Sequence, residues 1–181
     1  MDALKEWATV VKALENGEQT VILRKGGILE TASGFNVEAK KFILFPTFEH
    51  QEVNHIKTPF HKYLTEVKAN LPKNGTNSIT CYAEVLDEAD ISSHEKINAL
   101  SEFHIWSDSY IQERRNWEPE RPIKAVFLKV FKIPKQEIPL KSEFQGCKSW
   151  ININEEIQAG EPVLTDEEIR TKLEKFKEIV N

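Results

Sequence analysis

Short apolar clusters alternate with polar stretches along the chain, and their spacing predicts its elements. Leu4, Trp7, Ala8, Val11 and Leu14 recur at i, i+3, i+4 and i+7, which predicts one helix over residues 3–16. Asp2 stands as its cap and Gly17 as the left-handed residue that ends it. Thr20–Arg24 (TVILR) is a β-branched and aliphatic run of strand length. Gly26-Gly27 interrupt that run at a turn or bulge, and Ile28-Leu29 resume it. Phe42–Phe45 reads as a second strand, stopped by Pro46. Residues 48–70 read as mostly helical, with Thr58 a cap ahead of a first-turn Pro59.

Beyond the turn cluster Pro72–Thr76, Ser78–Leu86 is a third strand. Ser92 and Glu95 form a capping box for a helix through about Leu100. Another helix begins at Ser107, where Trp106 and Ile111 have the spacing of a hydrophobic staple, and runs to about Trp117. Ile123–Ile133 is apolar on both faces through Val126, Phe127, Leu128 and Val130, as a strand in the middle of a sheet is. In the tail, Thr165 and Glu168 form a capping box, and Ile169, Leu173, Phe176 and Val180 form a stripe. The sum is an α+β fold: one compact domain, a mixed or antiparallel sheet, and helices at both termini.

Composition narrows the classes. The chain has 181 residues, 40% hydrophobic and 29% charged, enough to bury a core without metal or disulfides. No apolar run reaches the ~18 residues of a membrane helix, and MDALKEW carries acids too early for a signal peptide. A cytoplasmic protein with no membrane partner is the expectation. Cys81 and Cys147 make neither a disulfide framework nor a metal knuckle. The net charge of −5 argues against a broadly basic nucleic-acid binder but leaves room for a local basic patch.

Two segments point to chemistry. In Arg24-Lys25-Gly26-Gly27-Ile28-Leu29-Glu30, two cations abut two glycines at a strand end, where backbone N–H groups can approach a ligand closely. The spacing is neither GxxxxGK[ST] nor GxGxxG, and a plain charged turn is the bland alternative. In Phe45-Pro46-Thr47-Phe48-Glu49-His50-Gln51, a strand delivers Thr47, Glu49, His50 and Gln51 together at its exit. His50 has the chemistry of a general acid or base with Glu49 as partner, but HQEVNH is one residue too long for HExxH, so zinc is a poor fit. A solvated helix cap is the rival reading.

Three weaker patterns remain. Glu30 with Glu38-Ala39-Lys40 has the residue types of a nuclease centre, which a solvated loop explains as well. Trp106, Tyr110, Arg114 and Trp117 lie near one helical face, where they would stack a base or simply form core. Asp87-Glu88-Ala89-Asp90 spells a helicase motif, but no Walker loop accompanies it.

The motifs KEW, LRKGGI-x-E and FPT-x-EHQ, with a tryptophan ahead of the last long strand, resemble a prokaryotic family known as domain of unknown function 1802. The resemblance covers about residues 3–150, leaving 151–181 as a C-terminal extension with a helix over about 166–180. It implies almost nothing about activity. It does imply that Arg24, Lys25, Gly26, Gly27, Glu30, Pro46, Thr47, Glu49, His50 and Gln51 belong to the family's pattern, which favours a site over packing.

The leading reading is a ligand- or nucleic-acid-binding module, by loose analogy with PUA-like barrels that bind RNA or modified bases. Arg24, Lys25, Gly26 and Gly27 would hold a phosphate-bearing ligand with Thr47 and Gln51, and Trp106 or Trp117 would stack a base. The alternative is a metal-dependent phosphodiesterase with Glu30, Glu49, His50 and Lys25, the hard oxygen ligands suiting Mg²⁺ or Mn²⁺. A third reading gives the C-terminal helix to a protein partner. For the shared site, the strands ending at Arg24 and Pro46 are expected to be sheet neighbours, with Glu30 folded over the cleft. Arg24→Ala is then expected to hurt binding more than folding.

Overall fold

The computed structural model describes residues 1–25 and 35–181. Gly26, Gly27, Ile28, Leu29 and Glu30 lie outside the described residues. The elements are β1 (Asp2–Trp7), α1 (Ala8–Glu15), β2 (Val21–Arg24), β3 (Lys41–Thr47), α2 (His61–Ala69) and β4 (Thr76–Ile91). They continue with α3 (His94–Ala99), α4 (Asp108–Asn116), β5 (Ile123–Pro139), β6 (Trp150–Asn152), β7 (Glu161–Pro162) and α5 (Asp166–Val180). The fold is α+β, with a mixed sheet ordered β2-β5-β4-β3-β1-β6 and β7 added beside β2 on the free edge of β5. Among the described residues only β1 and β3 pair in parallel.

The long β4–β5 ladder is the spine, and β5, apolar on both faces, lies between β4 and the pair β2 and β7. Alternating residues supply two cores. Leu4, Phe42 and Leu44 enter a large core under the helices, while Ala3, Ile43 and Phe45 enter a smaller one on the other face. Register shifts between Ile79 and Cys81 and between Val85 and Asp87 interrupt the spine, and bulges of this kind bend a sheet.

The helical spacing at the N-terminus misleads, because residues 3–16 are a strand followed without a linker by a helix. Strand β1 lies between β3 and β6 and buries Ala3 and Leu4 on opposite faces, so it lacks a clean alternation. Asp2 therefore sits in a strand rather than at a cap. Gly17 does end α1 with φ +74, and a Cβ there would come within 2.8 Å of Leu164 Cδ2.

Pro46 does not stop β3. It pairs with Glu6 of β1, and the β4 ladder has ended by Ile43, so no neighbour needs the missing N–H. Asn77 donates its side-chain amide to Pro46 O at 2.9 Å. Residues 48–70 hold less helix than expected: two single turns at Val53–His55 and Thr58–Phe60 precede α2, and Lys57 takes the cap position assigned to Thr58. The cap of α3 is Ser93 rather than Ser92, its hydroxyl accepting from Lys96 N at 3.3 Å, which leaves Glu95 in the first turn.

Strands β2 and β3 are not neighbours, since β5 and β4 stand between them. Their ends still meet, because the sheet curls. No ladder joins β2 to β6 among the described residues, but Arg24 spans the opening to reach β1 and Ser149. The apolar stripe of α5 is spent within the chain: Phe176 is wholly buried against Phe103 and Phe127. Ile169 is buried as well, while Leu173 and Val180 keep partial exposure.

Candidate functional site

Strands β1, β2 and β3 all deliver their C-terminal ends to one cleft of about 900 Å³. Helix α4 and the irregular segment 140–149 form its other walls.

Arg24 reaches this cleft as a clasp. Its guanidinium donates to Glu6 Oε2 at 3.1 Å, Lys5 O at 3.0 Å and Ser149 Oγ at 2.6 Å. The Arg24 side chain is 19% exposed and that of Glu6 only 5%, so water screens the pair weakly. Arg24 is thus an ion-pair partner as well as a lining residue. Among the described residues its carboxylate is Glu6 and not Glu49. Lys25 is more fully committed. It is buried, and Nζ donates to Arg114 O at 3.0 Å and Arg115 O at 2.9 Å, satisfying carbonyls at the end of α4. Burial lowers its pKa, with the Arg114 charge adding to the effect. Lys25 is absent from the cleft lining, unlike Lys5.

The exit of β3 divides. Thr47, Glu49 and His50 line the cleft. Glu49 and His50 have almost fully exposed side chains 3.8 Å apart, and His50 takes a left-handed φ of +63. Gln51 turns inward and does not line the cleft. Its Oε1 accepts from Thr9 N at 2.9 Å and its Nε2 donates to Thr47 O at 2.8 Å, so it ties β3 to the first turn of α1. Among the described residues no group of three or more His, Cys, Asp or Glu is placed to hold a metal ion.

One wall is aromatic. Tyr110 tilts against Trp7 at 5.0 Å between centroids and stacks on Trp106 at 6.2 Å. Trp7 and Tyr110 are partly exposed, while Trp106 is 2% exposed and backs the platform, its Nε1 lacking a hydrogen-bond partner among the described residues. Arg114 follows Tyr110 by one turn and lies over Trp117 at 4.9 Å. Trp117 itself is outside the cleft lining. Behind the platform, His104 Nδ1 accepts from Trp106 N at 3.2 Å, and burial pushes its pKa down to about 3, with Lys57 adding to the shift.

One lip is cationic. Lys5 Nζ donates to Phe144 O and Gly146 O, both at 2.8 Å, and Lys141 and Lys148 stand on either side along the chain. Burial lowers the pKa of Lys5, and the nearby Lys148 ammonium lowers it further. Elsewhere Lys12, Lys40, Lys124 and Lys129 have a carboxylate within ion-pair distance, whereas Lys57 and Lys132 do not among the described residues. Among the described residues, Lys5, Lys141 and Lys148 form no ion pair. Such a lip attracts anions even though the chain is acidic overall.

A family model described as domain of unknown function DUF1802 matches residues 3–175. The chain belongs to the DUF1802 family. The matched span runs past residue 150 and takes in β6, β7 and most of α5. No curated protein matches the sequence significantly. Among solved structures, the crystal structure of ASCH from Zymomonas mobilis is 16% identical, with a TM-score of 0.41 over 96% of this chain and 93% of that one. A serine-to-alanine mutant of that Zymomonas mobilis protein is 14% identical, with a TM-score of 0.40 over 96% and 94% of the two chains. Among the described residues, no helix is long and apolar enough to cross a membrane.

The sequence brings only part of this DUF1802 cleft into view. Arg24, Thr47, Glu49, His50 and Trp106 line it, whereas Lys25, Gln51 and Trp117 do not. Lys5 and Trp7 lie in the KEW motif but at positions read as helix. Lys141 and Lys148 lie in a segment without periodicity, and their only signal is a pair of cations around a glycine in an irregular connection.

Proposed function

We propose that this DUF1802 chain is a nucleic-acid-binding module that holds phosphate-bearing ligand in the cleft. One observation carries the reading: Lys5, Lys141 and Lys148, without ion pairs among the described residues, line one cleft with Trp7 and Tyr110, in a protein of net charge −5. Ammonium groups neutralise phosphates, and partly exposed rings offer bases a stacking surface. The site differs from the one expected from the sequence, since the phosphate-holding role passes from Lys25 to Lys5, Lys141 and Lys148. Arg24 keeps a place in the cleft mainly by fixing its shape. The phosphodiesterase alternative draws less support: Glu49 and His50 line the cleft, but Lys25 is engaged by α4 carbonyls, no group of three metal-ligating side chains occurs among the described residues, and Glu30 lies outside them.

The test is a fluorescence-anisotropy titration of labelled nucleic acids at low salt, with wild type and the Lys141→Glu/Lys148→Glu double variant. Wild type should bind, and the variant should bind at least about tenfold more weakly with a flatter salt dependence. Absence of binding to every nucleic acid, or equal binding by the variant, would remove this reading.

A further inference from the structure

The cleft carries both rings and ammonium groups, and that combination specifies the nucleic acid. Resting on the nucleic-acid reading, we infer that the cleft takes an unpaired nucleotide of a single strand, its base on Trp7 and Tyr110 and its phosphates along Lys5, Lys141 and Lys148.

Three observations lead there. First, Trp7 and Tyr110, both partly exposed, line the cleft where the ends of β1 and β3 meet α4, with Trp7 stacked on His55 and Tyr110 on Trp106 behind them. In a duplex the base faces are covered by stacked neighbours, so only an unpaired base can reach such rings. Secondly, the site is concave. Major-groove readers insert a helix or ribbon into a groove about 12 Å wide, which a concave site does not do. A volume of about 900 Å³ suits a few buried groups of a strand.

Thirdly, the same cleft carries lysines beside the rings. Lys5 lies two residues before Trp7 on β1, Lys141 and Lys148 lie on segment 140–149, and Tyr110 lies on α4. The crowding of Lys5 by Lys148, which depresses the Lys5 pKa together with burial, is relieved when an anion lies between them. Rings and ammonium groups in one cleft match the base and phosphates of a nucleotide, whereas an inorganic polyphosphate would use the lysines alone.

The experiment compares four probes on the unmodified protein: a labelled single-stranded oligonucleotide, the same sequence as a blunt duplex, a mononucleotide, and inorganic tripolyphosphate. Binding is followed by anisotropy or competition, and intrinsic tryptophan fluorescence is recorded in parallel. The single strand should bind at least about tenfold more tightly than the duplex or the mononucleotide and should quench tryptophan emission. Tripolyphosphate should compete without quenching. Tyr110→Ala should weaken the single strand about five- to a hundredfold, the range expected for one stacked base, and leave tripolyphosphate competition unchanged. A thermal melt of that variant establishes that it is folded, and the wild-type quenching result stands without it.

Duplex binding as tight as single-strand binding overturns this inference and leaves the broader nucleic-acid reading standing. The same follows if the mononucleotide matches the strand, or if the strand binds without quenching. Failure of all four probes overturns both.

Discussion

The guanidinium of Arg24 donates to a carboxylate, a backbone carbonyl and a hydroxyl from two separate stretches of chain. Glu6 also accepts from its neighbour Trp7 N at 2.9 Å, so the carboxylate is fixed on both sides. Removing one partner of such a pair leaves the other charge poorly solvated. Arg24→Ala should therefore cost about 2–4 kcal/mol in urea unfolding, below the full cost of a wholly buried pair because the arginine keeps some exposure. Adding Glu6→Gln should recover part of that loss. A cost under about 1 kcal/mol would show an exposed pair of little structural weight. The larger cost would contradict the expectation that Arg24 matters more to binding than to folding.

His104 gives a pH dependence of defined sign. Its folded pKa lies near 3 and its unfolded value near 6.5, so between those limits the unfolded chain binds more protons. Stability attributable to neutral His104 is fully present above about pH 6.5 and is lost as pH falls toward 3, with a limiting slope of about 1.4 kcal/mol per pH unit. His104→Asn keeps a side-chain acceptor for Trp106 N and removes the titration. Unfolding free energies of the variant between pH 6 and pH 4 should fall less steeply than those of wild type. Parallel curves would mean that His104 is not buried neutral.

At the scale of elements, Gln51 fastens the exit of β3 to the start of α1. Helix α1 has no side-chain cap of its own at Trp7, and Thr9 N is one of its free first-turn donors. Gln51→Ala should cost about 1–3 kcal/mol by leaving a buried N–H without an acceptor. Gln51→Glu, which retains the acceptor, should cost less. If the alanine variant melts like wild type, the tie contributes nothing. The reading of β3 as a strand that delivers functional side chains holds for Thr47, Glu49 and His50, which line the cleft, and misses the inward turn of Gln51. Alternation and polarity cannot show that turn, because it depends on the position of α1.

Elements with local signals were the legible ones. The reciprocal Thr165–Glu168 box starts α5, Ser107 caps α4, and the two-faced run marks β5. The helix expected over 3–16 fails for the opposite reason. Burial of β1 on both faces is imposed by β3, β6 and two cores, none of them local to it.

For the molecule as a whole, the controlling feature is the curl of the sheet. The strands that end at Arg24 and Thr47 follow one another closely in the chain, a spacing that invites direct pairing. Instead β5, far downstream, takes β2 as its edge partner, and long-range pairing of this sort leaves no trace in local periodicity. The strand ends converge all the same, because the bent β4–β5 spine brings Arg24 round to β1. The site was therefore legible in location, at the ends of β2 and β3, but not in its cations. Lys141 and Lys148 enter it only through the fold.

Where a bound strand touches the protein is the central question, and photocrosslinking answers it most directly. A single-stranded RNA oligonucleotide carrying 4-thiouridine, irradiated with the protein and mapped by mass spectrometry, should give adducts at Trp7, Tyr110 or segment 140–149, and excess tripolyphosphate should suppress them. Adducts confined to α5 or to the outer face of β4, with none in the cleft, would contradict the account.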